Sequence, residues 1–472
     1  MLRRIFDVQS LKRSYTRGLH TKNTNFLSPG CLSFLDELNS VCQDDYQNCL
    51  NIRNNNFINK NYNFREDTKD IRDKEWRVEI SPEVSNNLSK RHIEITGPGN
   101  SETMVINAMN SKANGYMLDL EDSMSPSFEN VIKGHDNIKK AVRKILTAEK
   151  YDNDGNLTKT YNIDNNNSPI FFVRSRGLHM TQENVLDKAI PATIFDIGVH
   201  LYNNGKYLLD NNMGPYIYMP KLETFEDSLL VNKIISKSQE MLDIPHGSTK
   251  LTCLIETYPA IYQTDEIIYG LKDHIVGLNC GRWDYLYSMI KCLDNEKIFP
   301  DRDLLTMDKP FLEAYVKQIV KSCHNRGIHA MGGMSAFIPT KDKEENNIIF
   351  KKINKDKKLE IDRGCDGAWV AHPGLIEPMQ ELFNEYMNND NLIKTVKINE
   401  NITKEMLTDL GNNSHIYSEQ CLRNNINTWL QYVSGWLSGN GAVALNNLME
   451  DLATSEISIH QIKQWYNNNW KY

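Results

Sequence analysis

The sequence predicts an α/β fold, a (β/α)8 or TIM barrel flanked by helices at both ends, on three observations. Between residues 92 and 371, eight short runs have the length, flanks and β-branched content of buried strands. They are His92–Thr96, Tyr116–Leu120, Ile170–Arg174, Tyr216–Pro220, Leu251–Glu256, Ile275–Leu278, His329–Met331 and Ala368–Ala371. Helical periodicity fills most of the intervals, and strand and helix alternating to a count of eight describes a closed parallel barrel. After about Pro378 no strand pattern is evident.

Taken in order, residues 1–24 stand apart. Arg3, Arg4, Lys12, Arg13, Arg17 and Lys22 face a single acid, Asp7, with Ser10, Ser14, Thr16 and Thr21 interspersed. That is the composition of a mitochondrial transit peptide, so the segment is set outside the fold; the alternative is a disordered basic N-terminus. Residues 25–90 read as an N-terminal helical domain. Ser28-Pro29 opens a helix on which Leu32, Leu35, Leu38 and Val41 recur, and the asparagine-rich text from Asn54 to Asn63 reads as a loop.

Residues 91–378 hold the barrel. Its clearest helix is Pro310–Arg326, where Leu312, Tyr315, Val316, Ile319, Val320 and Cys323 form one apolar stripe and Gly327 closes the end. Polar insertions at Asp152–Asn167 and Asp342–Lys358 read as surface loops. Residues 379–472 read as a C-terminal helical domain with helices at Glu381–Tyr386, Leu422–Leu437 and Glu456–Tyr466. Between the last two lies a loop, N-G-A-V-A-L-N-N-L-M-E-D, which carries Glu450 and Asp451.

Composition narrows the function. Of 472 residues, 40% are apolar and 24% charged, an ordinary soluble balance. A formal charge of -7 and a pI near 6.0 give no electrostatic reason to expect a nucleic-acid partner. No run of about 18 apolar residues exists, so no membrane partner is expected. The nine cysteines are scattered without a C-x-x-C pair, which suits reduced thiols.

Barrel enzymes place their chemistry at the C-terminal ends of the strands. The second strand ends D-L-E-D with Asp119, Glu121 and Asp122; the third ends at Arg174, with Arg176 two residues on. The fourth ends P-K-L-E with Lys221 and Glu223, and the fifth ends at Glu256. The sixth runs into K-D-H-I-V-G-L-N-C-G-R-W-D-Y, Lys272 to Tyr285. There a strand gives way to a helix at Asn279-Cys280-Gly281, a junction whose free N–H groups suit a carboxylate or phosphate, and Asp284 just beyond could hold a hard cation. Clustered carboxylates near an arginine suit Mg²⁺. Cys280 reads as packing rather than as a nucleophile, because no histidine is placed by the sequence to activate it.

These residues carry a family resemblance. The chain resembles malate synthase in its shorter, eukaryote and enteric-type form, through the Lys272–Tyr285 block and several others. Those are E-I-T-G-P at Glu94–Pro98, D-L-E-D at Asp119–Asp122, F-V-R-S-R-G at Phe172–Gly177, P-K-L-E, L-I-E-T, H-A-M-G-G-M at His329–Met334, W-V-A-H-P at Trp369–Pro373 and N-L-M-E-D at Asn447–Asp451. The resemblance implies condensation of glyoxylate with acetyl-CoA and water to give malate and CoA, a step of the glyoxylate cycle, with Mg²⁺ as cofactor. It implies Glu256 and Asp284 as metal ligands, and glyoxylate resting its carboxylate on the backbone of Gly281, Arg282, Trp283 and Asp284. Asp451 becomes the base, and Arg174 rather than Arg176 stabilises the enolate. Asp119 and Glu121 support metal-bound waters or Arg174.

The chemistry asks for the same residue types. A thioester methyl is a very weak acid, so a carboxylate removes its proton only if a fixed guanidinium in a dry site stabilises the enolate as it forms. The resemblance also exposes departures: Pro98-Gly99-Asn100-Ser101-Glu102 lacks a usual basic pair, Ile459 replaces an arginine, and the C-terminal helical domain is shortened. Two alternatives follow, a malate-synthase-like protein with weak or no activity, and a related Mg²⁺-dependent malyl- or citramalyl-CoA lyase. The basic leader places the protein in the mitochondrial matrix; the family offers the peroxisome or glyoxysome as the alternative.

Overall fold

The computed structural model describes residues 26–165, 168–294, 296–411 and 418–468. The expected transit peptide and the C-terminal Trp470-Lys471-Tyr472 lie outside them. Eight parallel strands close a barrel in sequence order: β1 (Ile93–Pro98), β2 (Gly115–Asp119), β3 (Ile170–Arg174), β4 (Tyr216–Met219), β5 (Lys250–Ile255), β6 (Ile275–Cys280), β7 (His329–Ser335) and β8 (Gly367–Val370), the last pairing with the first. The predicted barrel is therefore observed, with β6 and β7 running two and four residues past their predicted ends.

Helices of seven residues or more are α1 (Pro29–Asn59), α2 (Glu102–Met109), α3 (Phe128–Val142), α4 (Ala192–Asp210), α5 (Phe225–Met241), α6 (Thr264–Gly270), α7 (Arg282–Cys292), α8 (Pro310–Arg326), α9 (Lys343–Asp362), α10 (Ile376–Tyr386), α11 (Glu419–Leu437) and α12 (Leu452–Asn467). Between α11 and α12 lies a two-stranded hairpin, β9 (Val443–Leu445) and β10 (Leu448–Glu450).

Strand parity divides the core in two. Tyr116, Leu118, Phe171, Val173, Ile217, Leu251 and Cys253 face the surrounding helices, while Met117, Phe172, Tyr218, Leu254, Val276 and Trp369 fill the barrel interior. Below that apolar layer Arg91 is fully buried. It donates to Glu94 Oε1 at 2.7 Å, Thr252 Oγ1 at 3.1 Å and Tyr218 OH at 2.7 Å, and Trp369 Nε1 donates to Glu94 Oε2 at 3.0 Å. Each member of this buried group finds a partner, so the charge is tolerated.

Three local expectations need correction. The Asn54–Asn63 stretch stays helical to Asn59, because Arg53 anchors α1 to Asp227 at 3.0 Å and Lys60 closes it in the left-handed conformation, φ 51. Asp342–Lys358 is the N-cap and most of α9 rather than a loop. Asp342 accepts from the Glu344 and Glu345 N–H groups, and Ile349, Ile353, Lys357 and Ile361 make a buried stripe at four-residue spacing among the lysines. The loop before Asp451 is the β9–β10 hairpin. Asn446 and Asn447 both have positive φ, 50 and 61, as a two-residue turn of the type favoured in hairpins requires. The described part of the Asp152–Asn167 insertion is largely exposed as expected, with Ile163 buried, but its Leu157–Asn162 stretch pairs with Thr147–Tyr151 just before it.

Candidate active site

Strand parity also aims the polar residues. Asp119, Arg174 and Glu256 lie two positions beyond Met117, Phe172 and Leu254, so each continues an inward face above the last apolar layer. Asp119 and Arg174 are registered neighbours on β2 and β3. Arg174 donates Nε and Nη2 to the two Asp119 oxygens, both at 2.6 Å. Asp119 Oδ1 also accepts from the Glu121 N–H and Oδ2 from the Ser123 N–H, each at 2.9 Å, which fixes the fork. Nη1 is left over, with Glu121 Oε2 at 3.5 Å and Asp122 Oδ2 at 3.9 Å as its nearest anions. Burial works against this guanidinium's charge, but Asp119, Glu121 and Asp122 outweigh it and hold the pKa well above the ordinary value.

Glu256 is fully buried; its Oε1 accepts from the Lys221 N–H at 2.8 Å, and its Oε2 has no hydrogen-bond partner among the described residues. Burial pushes its pKa up to about 8, with Lys221 pulling down and Asp284 pushing up. Asp284, in the first turn of α7, is likewise raised by burial, opposed by Lys221 and reinforced by Asp122. The Lys221 ammonium stands among these acids, 2.6 Å from Asp122, 3.1 Å from Glu121, 3.2 Å from Asp284 and 3.8 Å from Glu256.

The junction between β6 and α7 has the expected form. Gly281 is the N-cap and offers no side-chain bond, and the first N–H returned to the helix is that of Tyr285, to Gly281 O at 3.0 Å. The N–H groups of Arg282, Trp283 and Asp284 therefore point outward for an anion. Glycine is required by contact: a Cβ at Gly281 would lie 2.5 Å from Glu256 Cβ. The Arg282 side chain turns away from the cleft, donating to Leu305 O at 2.6 Å and pairing with Asp356 at 3.3 Å, so only its backbone serves the junction.

Asp451 reaches this cleft from the hairpin, which docks on the end of β7: Ile338 N–H donates to Asn447 O and Met449 N–H to Ala336 O, both at 2.8 Å. Arg302 Nη2 pairs with Glu450 Oε1 at 2.8 Å, locking the residue next to Asp451. Asp451 is half-buried, but its Oδ1 is enclosed without a partner, and the carboxylate makes no bond to the α12 it caps. Burial, then Asp284 and Asp122, push its pKa up to about 8.

Asp119, Arg174, Glu256, Gly281, Arg282, Trp283, Asp284 and Asp451 all line one cleft, and Glu121 sits just behind Arg174. Arg176 does not: it is buried elsewhere, held by Asp196 at 2.8 Å. Six carboxyl groups, those of Asp119, Glu121, Asp122, Glu256, Asp284 and Asp451, share the site with the two cations Arg174 and Lys221. This excess of acid, with the unpartnered Glu256 Oε2, fits a divalent metal. Among the described residues no group of three or more His, Cys, Asp or Glu side chains is placed to hold a metal ion by itself. Mg²⁺ asks for less, one or two carboxylates plus substrate and water, and Glu256 with Asp284 meets that. Two contributors carried no expected role: Lys221, visible only as the lysine of P-K-L-E, and Arg302, whose pairing with Glu450 spans 148 residues.

Comparison with known proteins supplies the lineage. Residues 170–410 match the family model for the malate synthase TIM barrel domain, and residues 417–472 match that for the malate synthase C-terminal region. Malate synthase A of Escherichia coli strain K12 is 41% identical over 408 residues, covering 85% of this chain and 74% of its own. The glyoxysomal malate synthase of Candida tropicalis is 41% identical over 420 residues, covering 86% and 74%. Among solved structures, the Haloferax volcanii malate synthase pyruvate/acetyl-CoA ternary complex superposes with a TM-score of 0.53 at 15% identity, over 80% of this chain and 92% of that one, a likeness of fold. With the two family models spanning β3 to the C-terminus and relatives at this identity over most of its length, the chain belongs to the malate synthase family.

Proposed function

We propose that the cleft condenses glyoxylate with acetyl-CoA and water to malate and CoA, with Asp451 as base and Arg174 as enolate stabiliser. The observation that carries this reading is that a carboxylate free of its own helix and a guanidinium with one N–H edge to spare line the same cleft as a helix terminus suited to an anion. The backbone N–H groups of residues 282–284 hold the glyoxylate carboxylate and orient its aldehyde. Asp451 takes a proton from the acetyl methyl group. Negative charge then grows on the thioester oxygen, where Arg174 Nη1 meets it while Nε and Nη2 stay on Asp119.

Glu256 and Asp284 would hold Mg²⁺, with Asp119 and Glu121 supporting Arg174 and metal-bound water. When bound, that ion supplies Lewis-acid polarisation of the aldehyde. Purified protein given glyoxylate, acetyl-CoA and Mg²⁺ is expected to release free thiol; no release above a chelated control refutes the reading, and cleavage of malyl- or citramalyl-CoA without net synthesis replaces it with the lyase.

The division into residues 25–90, 91–378 and 379–472 is proposed with it, since it lets the base approach a cleft that opens for acetyl-CoA. Two supports bear on the compartment and point to different places: the basic composition of residues 1–24 to the mitochondrial matrix, and the glyoxysomal relative to a peroxisome-type organelle. A fluorescent reporter fused behind residues 1–24 separates them by the organelle it enters.

A further inference from the structure

Lys221 is held in a conformation that its residue type rarely adopts. Its φ is 53, in the left-handed region, where a side chain with a Cβ is strained. Two bonds fix that backbone: its N–H donates to Glu256 Oε1 at 2.8 Å, and its carbonyl accepts from Arg53 Nη2 at 3.1 Å. Arg53 is itself clamped by Asp227 at 2.8 Å. The strained turn carries the lysine stem in among the acids of the site, where only 16% of the side chain meets solvent.

The ammonium then spans two pairs of acids. It is nearer to Asp122 and Glu121, at 2.6 and 3.1 Å, than to Asp284 and Glu256, at 3.2 and 3.8 Å. The second pair is the proposed metal ligand set. A lysine suits a movable charge, being a compact cation on a flexible stem without the fixed fork of arginine. A divalent cation between Glu256 and Asp284 would repel this ammonium, which has its two shorter contacts on the other side.

We propose that Lys221 is a built-in stand-in for the metal: its ammonium neutralises Glu256 and Asp284 until the divalent cation arrives, then withdraws onto Asp122 and Glu121. The lysine thereby weakens and sets the metal affinity of the site. This rests on the reading of Glu256 and Asp284 as ligands, so the test separates the two.

The measurement is Mn²⁺ titrated into the full-length protein without substrate, with the free ion followed by electron paramagnetic resonance. K221M is expected to bind Mn²⁺ on the order of tenfold tighter than the unmodified protein, because a repelling charge a few ångströms away is gone. K221R, which keeps the charge, is expected to bind no tighter. Equal or weaker binding by K221M, or K221R binding as tightly as K221M, overturns the proposal. E256Q is expected to lose most Mn²⁺ binding; unchanged affinity there overturns the ligand reading, whatever K221M does. If K221M does not fold in chelator, circular dichroism with rising Mg²⁺ takes the place of the titration. Recovery of the native signal supports the stand-in, and no recovery overturns it.

Discussion

Asp451 occupies the N-cap position of α12, where an aspartate ordinarily accepts a hydrogen bond from the first turn, a contact worth about 1 kcal/mol. It makes none, so the carboxylate is free for the proton transfer proposed for it. D451N keeps the size and removes the base. It is expected to lower kcat by roughly 10²- to 10⁴-fold while Mn²⁺ and glyoxylate still bind as before; equilibrium binding measured beside turnover checks this, and joint loss of both marks a structural residue. The same burial sets the pH dependence. Without metal, the Asp451 pKa is pushed up to about 8, by burial first and then by Asp284; Mg²⁺ on Asp284 would offset that second cause, so the proposed base works with a value below about 8 but, still buried, above the ordinary carboxylate range. As a base it works deprotonated, so kcat/KM should climb with pH by about tenfold per unit below that value and flatten above it. A profile level from roughly pH 5 to 9 counts against Asp451 as the base.

At the scale of elements, the position of the proposed base Asp451 depends on how the β9–β10 hairpin is seated. Backbone bonds to Ala336 and Ile338 fix its height on the barrel, and the Arg302–Glu450 pair, at 2.8 Å, fixes its end beside Asp451. R302M is therefore expected to lower kcat by about 10- to 100-fold, the effect of a base displaced by about 1 Å, with KM for glyoxylate unchanged. It should also shift the pH limb upward, because Glu450 already raises the Asp451 pKa and would lose its counter-ion. R302K, which keeps the charge, should restore much of the rate; an R302M enzyme with unaltered kcat and limb removes the latch. The hairpin was legible in principle, since Asn446-Asn447 between apolar pairs is a turn signal. Helix α9 was legible too, through Ile349, Ile353 and Ile361, but the surrounding lysines and asparagines hid the stripe. The Arg302–Glu450 contact had no signal, because nothing local in either segment specifies a partner 148 residues away.

For the whole molecule, the barrel could be read because buried parallel strands leave continuous apolar runs that local sequence carries, and Asp119, Arg174 and Glu256 could be aimed because parity extends past each run. What one dimension could not display is the charge balance formed when those strand ends converge, six acids around two cations. That balance has a consequence for stability. Glu256 and Asp451 are both pushed up to about 8, against an unfolded value of roughly 4. Between those values the folded protein binds more protons than the unfolded chain. The stability this brings is complete below about pH 4 and is lost as pH rises through about 8. In chelator, Tm is expected to fall from about pH 7 to about pH 8.5, above the range in which the buried His200, His274 and His329, whose pKa values are lowered, act in the opposite direction. Mg²⁺ held by Glu256 and Asp284, as proposed, would bind the ionised carboxylates of the folded state and not the unfolded chain, so at saturation it should raise Tm most at the alkaline end and flatten the slope. Differential scanning fluorimetry across pH, with chelator and with Mg²⁺, makes the comparison. A Tm independent of pH in chelator over that range, or a Mg²⁺ effect no larger at about pH 8 than at about pH 5, would show that Glu256 and Asp451 do not hold their protons above the unfolded value.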